Sequence, residues 1–189
     1  DLHWLLHSFP TRRSSDLLII MQTNVKKLTV AGVLVAVGVA CSTFSIPVGA
    51  SRCFPIQHMV NVIAGVLLGP LYACTMAFCT SLLRVLLGTG SLLAFPGSMI
   101  GALCCGLCYK ASQKLPLAYL GEIIGTGVLG GMACYPIATL VMGKEAALFT
   151  YVPAFLLSTA VGATISILAI GALQKTRVLG QMKLALGRK

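Results

Sequence analysis

Carboxylates are almost missing from this 189-residue chain. Four Asp and Glu stand against fourteen Lys and Arg, for a formal net charge of +10. Charged residues of both signs make up only 10%, where a soluble domain carries about a quarter. Trp occurs once, as Trp4, and His three times, as His3, His7 and His58. No Gly-x4-Gly-Lys-[Ser/Thr] phosphate loop is present, because the single Gly-Lys pair, Gly143-Lys144, runs into Glu145. ATP hydrolysis by this chain is therefore not expected. After residue 20 only Glu122 and Glu145 remain as carboxylates, too few for a carboxylate dyad or a proton relay, and no Ser-His-acid set is readable.

What the chain has in excess is apolar surface: 57% of its residues are hydrophobic and its mean hydropathy is +0.93. Intrinsic disorder is excluded by that hydrophobicity, and a soluble body would lack polar side chains to cover itself. The expected class is an all-α integral membrane protein. Residues 1–20 are expected to stand outside the fold. The string His7-Ser-Phe-Pro-Thr-Arg-Arg-Ser-Ser-Asp-Leu17 matches, letter for letter, one reading frame of a widely used DNA-sequencing adapter. A signal peptide is the rival, but the apolar run Leu17–Ile20 stops after four residues and no small-residue cleavage site follows. Met21 is the expected start.

A spanning helix takes about 20 apolar residues, and six are expected. They run over Leu28–Phe44, Ile56–Gly69, Leu71–Gly88, Ser98–Ser112, Ala118–Val141 and Val152–Leu173, so the membrane domain is 21–174. Lys and Arg gather on the cytoplasmic side of short loops. With both termini inside, the inner set is Lys26, Lys27, Lys110, Lys114, Lys175, Arg177, Lys183, Arg188 and Lys189, and the outer set only Arg52 and Lys144. Topology thus accounts for the positive charge without a nucleic acid. The tail 175–189 is basic with apolar residues interspersed, and is expected along the inner membrane surface.

The segment Arg52-Cys-Phe-Pro-Ile-Gln-His-Met-Val-Asn61 is the most informative. Gln57, His58 and Asn61 lie three and four residues apart and share a helical face. Arg84 lies at a similar depth on an antiparallel neighbour, with Thr80 and Ser81 a turn deeper; Ser98, Tyr135, Ser158 and Thr159 complete one outer polar layer. An ionisable group within a span marks a functional position by default; for Arg84 the alternatives are snorkelling to the outer surface or structural pairing. For His58 alone a structural hydrogen bond is the simpler account, and Glu122 is expected to pair with Lys114 or Lys110. The loops Ser45–Pro55 and Gly88–Gly97 are long enough to fold over the layer, as lid or as connector, with glycines available as hinges. Pro136 is expected to kink its helix.

Gly32, Ala36 and Ala40 form a small-residue stripe on the first helix. It suits close approach of another helix, within this bundle or from another protein. The eight cysteines include Cys104-Cys105-Gly-Leu-Cys108, but no second thiol pair or His sits at zinc spacing. No metal site or cofactor is expected.

Six short helices, a small-residue stripe and an outer polar pocket resemble the substrate-binding S components of energy-coupling-factor (ECF) transporters. The runs Cys53-Phe-Pro-Ile-Gln-His-Met-Val-Asn61, Leu67-Leu-Gly-Pro70, Ser81-Leu-Leu-Arg84, Leu87-Gly-Thr-Gly90 and Leu93-Ala-Phe-Pro-Gly-Ser-Met-Ile-Gly-Ala102 are similar to the ThiW family. That family is the S component assigned to hydroxyethylthiazole, the thiazole precursor of thiamin. The resemblance implies a transmembrane T protein and two cytoplasmic ATPases as partners, with Gly32, Ala36 and Ala40 packed on the T protein. It implies a small, neutral, aromatic ligand carrying one hydroxyl. Gln57, His58, Asn61 and Ser98 would hydrogen-bond that ligand, Phe95 and Tyr135 would give apolar or stacking contact, and Arg84 would brace the pocket or a loop carbonyl rather than meet a charge. The competing expectations are an S component for thiamin or another precursor, a stand-alone ion-coupled carrier using Glu122, and a membrane-embedded enzyme using Cys or His58.

Overall fold

The computed structural model describes residues 11–48 and 51–187. Half of the segment 1–20, together with Arg188 and Lys189, lies outside these residues. Helix α1 runs from Thr11 to Ala40 and ends in a 3-10 turn, Cys41–Thr43. A two-stranded antiparallel hairpin follows, β1 (Ile46–Val48) against β2 (Ser51–Cys53), with Ile46 opposite Cys53 and Pro47 opposite Arg52. Then come α2 (Pro55–Leu67), α3 (Pro70–Leu86), α4 (Ala94–Ser112) and a long rod over Leu115–Val141. The rod contains α5 (Leu115–Glu122) and α6 (Gly131–Pro136), and α7 (Val152–Lys175) and α8 (Val178–Ala185) close the chain.

Proline sets where these helices begin. Pro55, Pro70, Pro116 and Pro153 each stand in a first turn, where the missing N–H costs nothing and the fixed φ suits the helix. The turn between α2 and α3 is only Leu68-Gly69, and Gly69 adopts φ +98°, open to glycine because it has no β carbon. Such short connections force antiparallel neighbours. Helix α4 sits centrally against α2, α3 and the rod, and α2 packs on α7.

Close approach comes from glycine paired with glycine. Gly97 and Gly101 on α4 face Gly130 and Gly125 on the rod, so closely that a β carbon on Gly130 would come within 2.6 Å of the Gly97 Cα. This is the small-xxx-small packing that lets helices meet in lipid. The rod is Gly-rich and widens into π-helical turns at Ile123–Gly130 and Ile137–Val141, on either side of the α6 segment that ends at Pro136; helix irregularity collects at such residues.

Among the described residues three helices are long and apolar enough to cross a membrane: Ile20–Thr43, Leu115–Val141 and Val152–Lys175. Helices α2 and α3 are apolar but shorter, and α2, at 13 residues, rises only about 20 Å. The outward faces are apolar, with Leu71, Leu86, Leu140 and Leu168 all largely exposed, an arrangement a water-soluble surface rarely tolerates over such an area.

Several expected boundaries shift. Helix α1 begins well before Leu28, and α4 begins at Ala94 rather than Ser98. Phe95-Pro96-Gly97 is therefore the first turn of a helix and not a hinge: a β carbon on Gly97 would lie 2.4 Å from the Phe155 ring, so the glycine makes room for that ring. The loop 45–55 is a hairpin, a small β element in a fold expected to be all-α. The basic tail is also folded. Helix α8 buries Leu179, with Leu186 just beyond it, against the bundle, and Lys183 Nζ donates to the Tyr109 hydroxyl.

Gly106 and Gly32 form a matched test of this packing. A β carbon on Gly106 would lie 2.5 Å from the Pro70 Cα, whereas Gly32 has nothing within 4 Å. Gly106→Ala is expected to destabilise by about 1–3 kcal/mol, seen as a lower thermal midpoint of the detergent-solubilised protein, and Gly32→Ala to leave the midpoint unchanged.

Candidate functional site

Buried polar side chains are concentrated at one end of the bundle. Helix α2 contributes Gln57, His58 and Asn61, α3 Thr80, Ser81 and Arg84, α4 Ser98, the rod Glu122 and Thr126, and α7 Ser158 and Thr159. Helix α2 starts just after the hairpin, so Gln57, His58 and Asn61, its third, fourth and seventh residues, fall in its first two turns, where His58 and Asn61 meet Glu122, the eighth residue of the rod.

The groups interlock. Glu122, with no exposed surface, accepts at Oε1 from Asn61 Nδ2 (3.2 Å) and Thr126 Oγ1 (3.0 Å), and stands 3.1 Å from His58 Nδ1. The His58 ring thus turns its Nδ1 edge toward Oε1 and its Nε2 edge away from it. Asn61 Nδ2 also donates to the Ser98 carbonyl (3.3 Å), and the Ser98 and Ser81 hydroxyls are 2.9 Å apart. Gln57 Nε2 donates to Ser81 Oγ (3.4 Å), while Gln57 Oε1 accepts from Arg84 Nη1. The Arg84 guanidinium lies 3.8 Å from the centroid of the Phe54 ring, a cation–π arrangement.

Above this network lies a cavity of about 360 Å³, in the range of small-ligand sites. Its walls come from Arg52, Phe54, Gln57 and His58 below the hairpin, from Arg84 and the turn Gly88–Ser91, from Leu93, Ala94 and Ser98, from Lys144, and from Ala154, Phe155 and Ser158 of α7. Both long loops thus meet the cavity at its rim. The hairpin is fastened to α7, since the Phe54 amide donates to Ser158 Oγ (2.9 Å) and the Cys53 thiol to the Ala154 carbonyl (3.2 Å). Burial pushes the Cys53 thiol up from its ordinary pKa, which suppresses thiolate and disfavours nucleophilic use.

Of the residues singled out in the sequence, Gln57, His58, Arg84, Ser98 and Ser158 line the cavity. Asn61 has no exposed surface and lies beneath it. Phe95 is outside the lining and packs on Phe78, with ring centroids 5.5 Å apart, and Tyr135 is 38% exposed on the rod, also outside the lining. Arg84 braces the Gln57 side chain rather than a loop carbonyl; its own backbone carbonyl accepts the loop amides of Thr89 and Gly90. The expected pairing of Glu122 is overturned. It pairs with His58 and not with Lys110 or Lys114, both exposed, because the rod turns its face toward α2. Phe54, Phe155, Arg52 and Lys144 join the site from outside the set read in the sequence. Phe54 and Arg52 flank the motif already noticed, and Phe155 stands one turn before Ser158. Among the described residues no three His, Cys, Asp or Glu side chains group as metal ligands.

The small-residue stripe has a separate fate. Gly32, Ala36 and Ala40 are exposed, while Ala31 and Gly38 face inward; a β carbon on Gly38 would touch the Thr80 methyl at 2.9 Å. The bundle does not use the stripe.

A family model described as thiamine-precursor transporter protein (ThiW) matches residues 28–176. No curated protein and no solved structure matches the chain.

Removing the Glu122 carboxylate strands three buried donors, and breaking a buried pair typically costs about 3–5 kcal/mol. Glu122→Ala is expected to lower the thermal midpoint accordingly, and Lys110→Ala or Lys114→Ala to leave it within error. Equal effects of Glu122→Ala and Lys114→Ala would restore the lysine pairing.

Proposed function

Because the chain belongs to the ThiW family of thiamine-precursor transporter proteins, we propose that it is the substrate-capturing S subunit of an ECF-type importer, binding the thiazole half of thiamin as hydroxyethylthiazole. The observation that carries this reading is the cavity over the Gln57–Ser81–Ser98 network, read together with the family match. A ligand there meets polar side chains, among them Gln57, Ser98 and Ser158 beside the cationic Arg84, together with the Phe54 and Phe155 rings, a combination suited to a small heteroaromatic ring with a polar arm. Lys110, Lys114 and Lys175 stand at helix ends remote from the cavity, near where α8 folds back. The positive-inside rule then faces the cavity outward, with six membrane-crossing segments and both termini cytoplasmic. The plasma membrane of a bacterium is the setting this implies.

Energy must come from elsewhere, since the chain has no phosphate loop. A T protein and two cytoplasmic ATPases are the proposed partners. The exposed Gly32/Ala36/Ala40 stripe is the proposed contact with the T protein, because a face of small residues admits a second helix closely. The chain is a binding subunit in this account and performs no catalysis. A stand-alone carrier coupled through Glu122 is the second reading, favoured by the one observation that a carboxylate and a histidine pair beneath the cavity.

Calorimetric titration of the purified chain tests the ligand. Hydroxyethylthiazole is expected to bind one to one and much more tightly than thiamin. Ser98→Ala or Gln57→Ala is expected to weaken it by about one to two decades, the value of a buried hydrogen-bond partner. Tighter binding of thiamin would reassign the substrate. Replacing Ala36 by Leu tests the partner: it is expected to abolish co-purification with the T protein and ATPases and to leave ligand affinity unchanged. Retained assembly would remove the stripe from the interface.

A further inference from the structure

Arg84 is the one charged side chain of the cavity that is buried and has no counter-ion. It is 1% exposed, Nη1 donates to Gln57, and Nε and Nη2 have no partner. Among the described residues the sole acidic and basic side chains within salt-bridge distance of each other are His58 and Glu122, so no carboxylate stands against the guanidinium. The other charged residues of the lining are Arg52 and Lys144, and no Asp or Glu lines the cavity. The nearest acidic group of the network, Glu122, has no exposed surface and already holds His58, Asn61 and Thr126. Two further buried polar atoms lack partners, Asn61 Oδ1 and Glu122 Oε2, but they belong to residues that do not line the cavity. The start of α4 adds to the same field, since Leu93 and Ala94 at its N-terminal end line the cavity and this end of a helix carries partial positive charge. A buried cation without an anion is costly, and a guanidinium with Nε and Nη2 free presents the fork that binds two oxygens of a carboxylate or phosphate.

From this we infer that the cavity takes its ligand in an anionic form, with the anionic oxygens seated on Nε and Nη2 of Arg84 and Arg52 and Lys144 supplying attraction at the rim. The inference rests on the thiazole-capture reading and refines it: the arm of the heterocycle ends in a phosphate monoester or a carboxylate rather than in a free hydroxyl.

The test is titration of the full chain with three probes: hydroxyethylthiazole, its phosphate monoester, and the thiazole-acetic acid in which the arm is oxidised to a carboxylate. At least one anion is expected to bind about tenfold or more tightly than the alcohol, in keeping with a charge-assisted bidentate contact. Which anion gains tells phosphate from carboxylate. Arg84→Gln is expected to close the gap, and Arg84→Lys, which keeps the charge and loses the fork, to close it in part. Because the gap is read on the unmodified protein, the inference is decided even where Arg84→Gln does not fold. An alcohol that binds as tightly as both anions overturns the anionic form and leaves the thiazole reading standing. Failure of all three probes to bind a cooperatively melting protein overturns the thiazole reading, and the inference with it.

Discussion

Inside a bundle of apolar helices there is no water to satisfy a stray polar group, so each buried donor and acceptor has to find a partner in the protein or in a ligand. The Glu122 carboxylate is where this constraint bears hardest. It sits with no exposed surface among α2, α4 and the rod, and three side chains turn toward one of its oxygens. His58 is oriented by it, Asn61 is held between it and the Ser98 carbonyl, and Ser98 meets Ser81. The floor of the cavity is therefore one connected network, gathered around the buried side chain of Glu122.

Backbone geometry makes that network possible. Thr126 reaches Glu122 in the space where Gly101 has no side chain: a β carbon there would lie 1.7 Å from Thr126 Oγ1. The Gly97/Gly130 and Gly101/Gly125 contacts draw α4 onto the rod, and the first two turns of α2 bring His58 and Asn61 to Glu122. Small residues thus do opposite things on two helices. On α4 they are consumed in packing the bundle, and on α1 they remain on the outer surface.

At the cavity the same rule of satisfaction is only partly met. The floor is paired except at Asn61 Oδ1 and Glu122 Oε2, the hairpin is tied to α7 through Phe54 and Cys53, and Arg84 is stacked under Phe54 and bonded to Gln57. Two donors are left over on Arg84, a residue of the cavity wall. A binding site has this character by necessity, because a site whose polar groups were all satisfied internally would have nothing with which to hold a ligand.

Class and family were legible in the order of residues alone. Composition demanded a membrane protein, and the motif from Cys53 to Ala102 pointed to the family that the match over 28–176 shows. Helical spacing alone put Gln57 and His58 on one face and brought Arg84 and Ser98 to the same depth. What periodicity could not supply was the partner across a helix interface. It set Glu122 beside the nearest lysines in sequence, whereas the tertiary fold rotates it toward α2. It grouped Tyr135 with the polar layer by depth, and the family resemblance added Phe95, although their azimuth turns the first outward and the second onto Phe78. Depth along a helix follows from counting residues at 1.5 Å each, but the direction a side chain takes around the axis relative to its neighbours is decided by how the helices pack, and here glycine contacts between α4 and the rod made that decision.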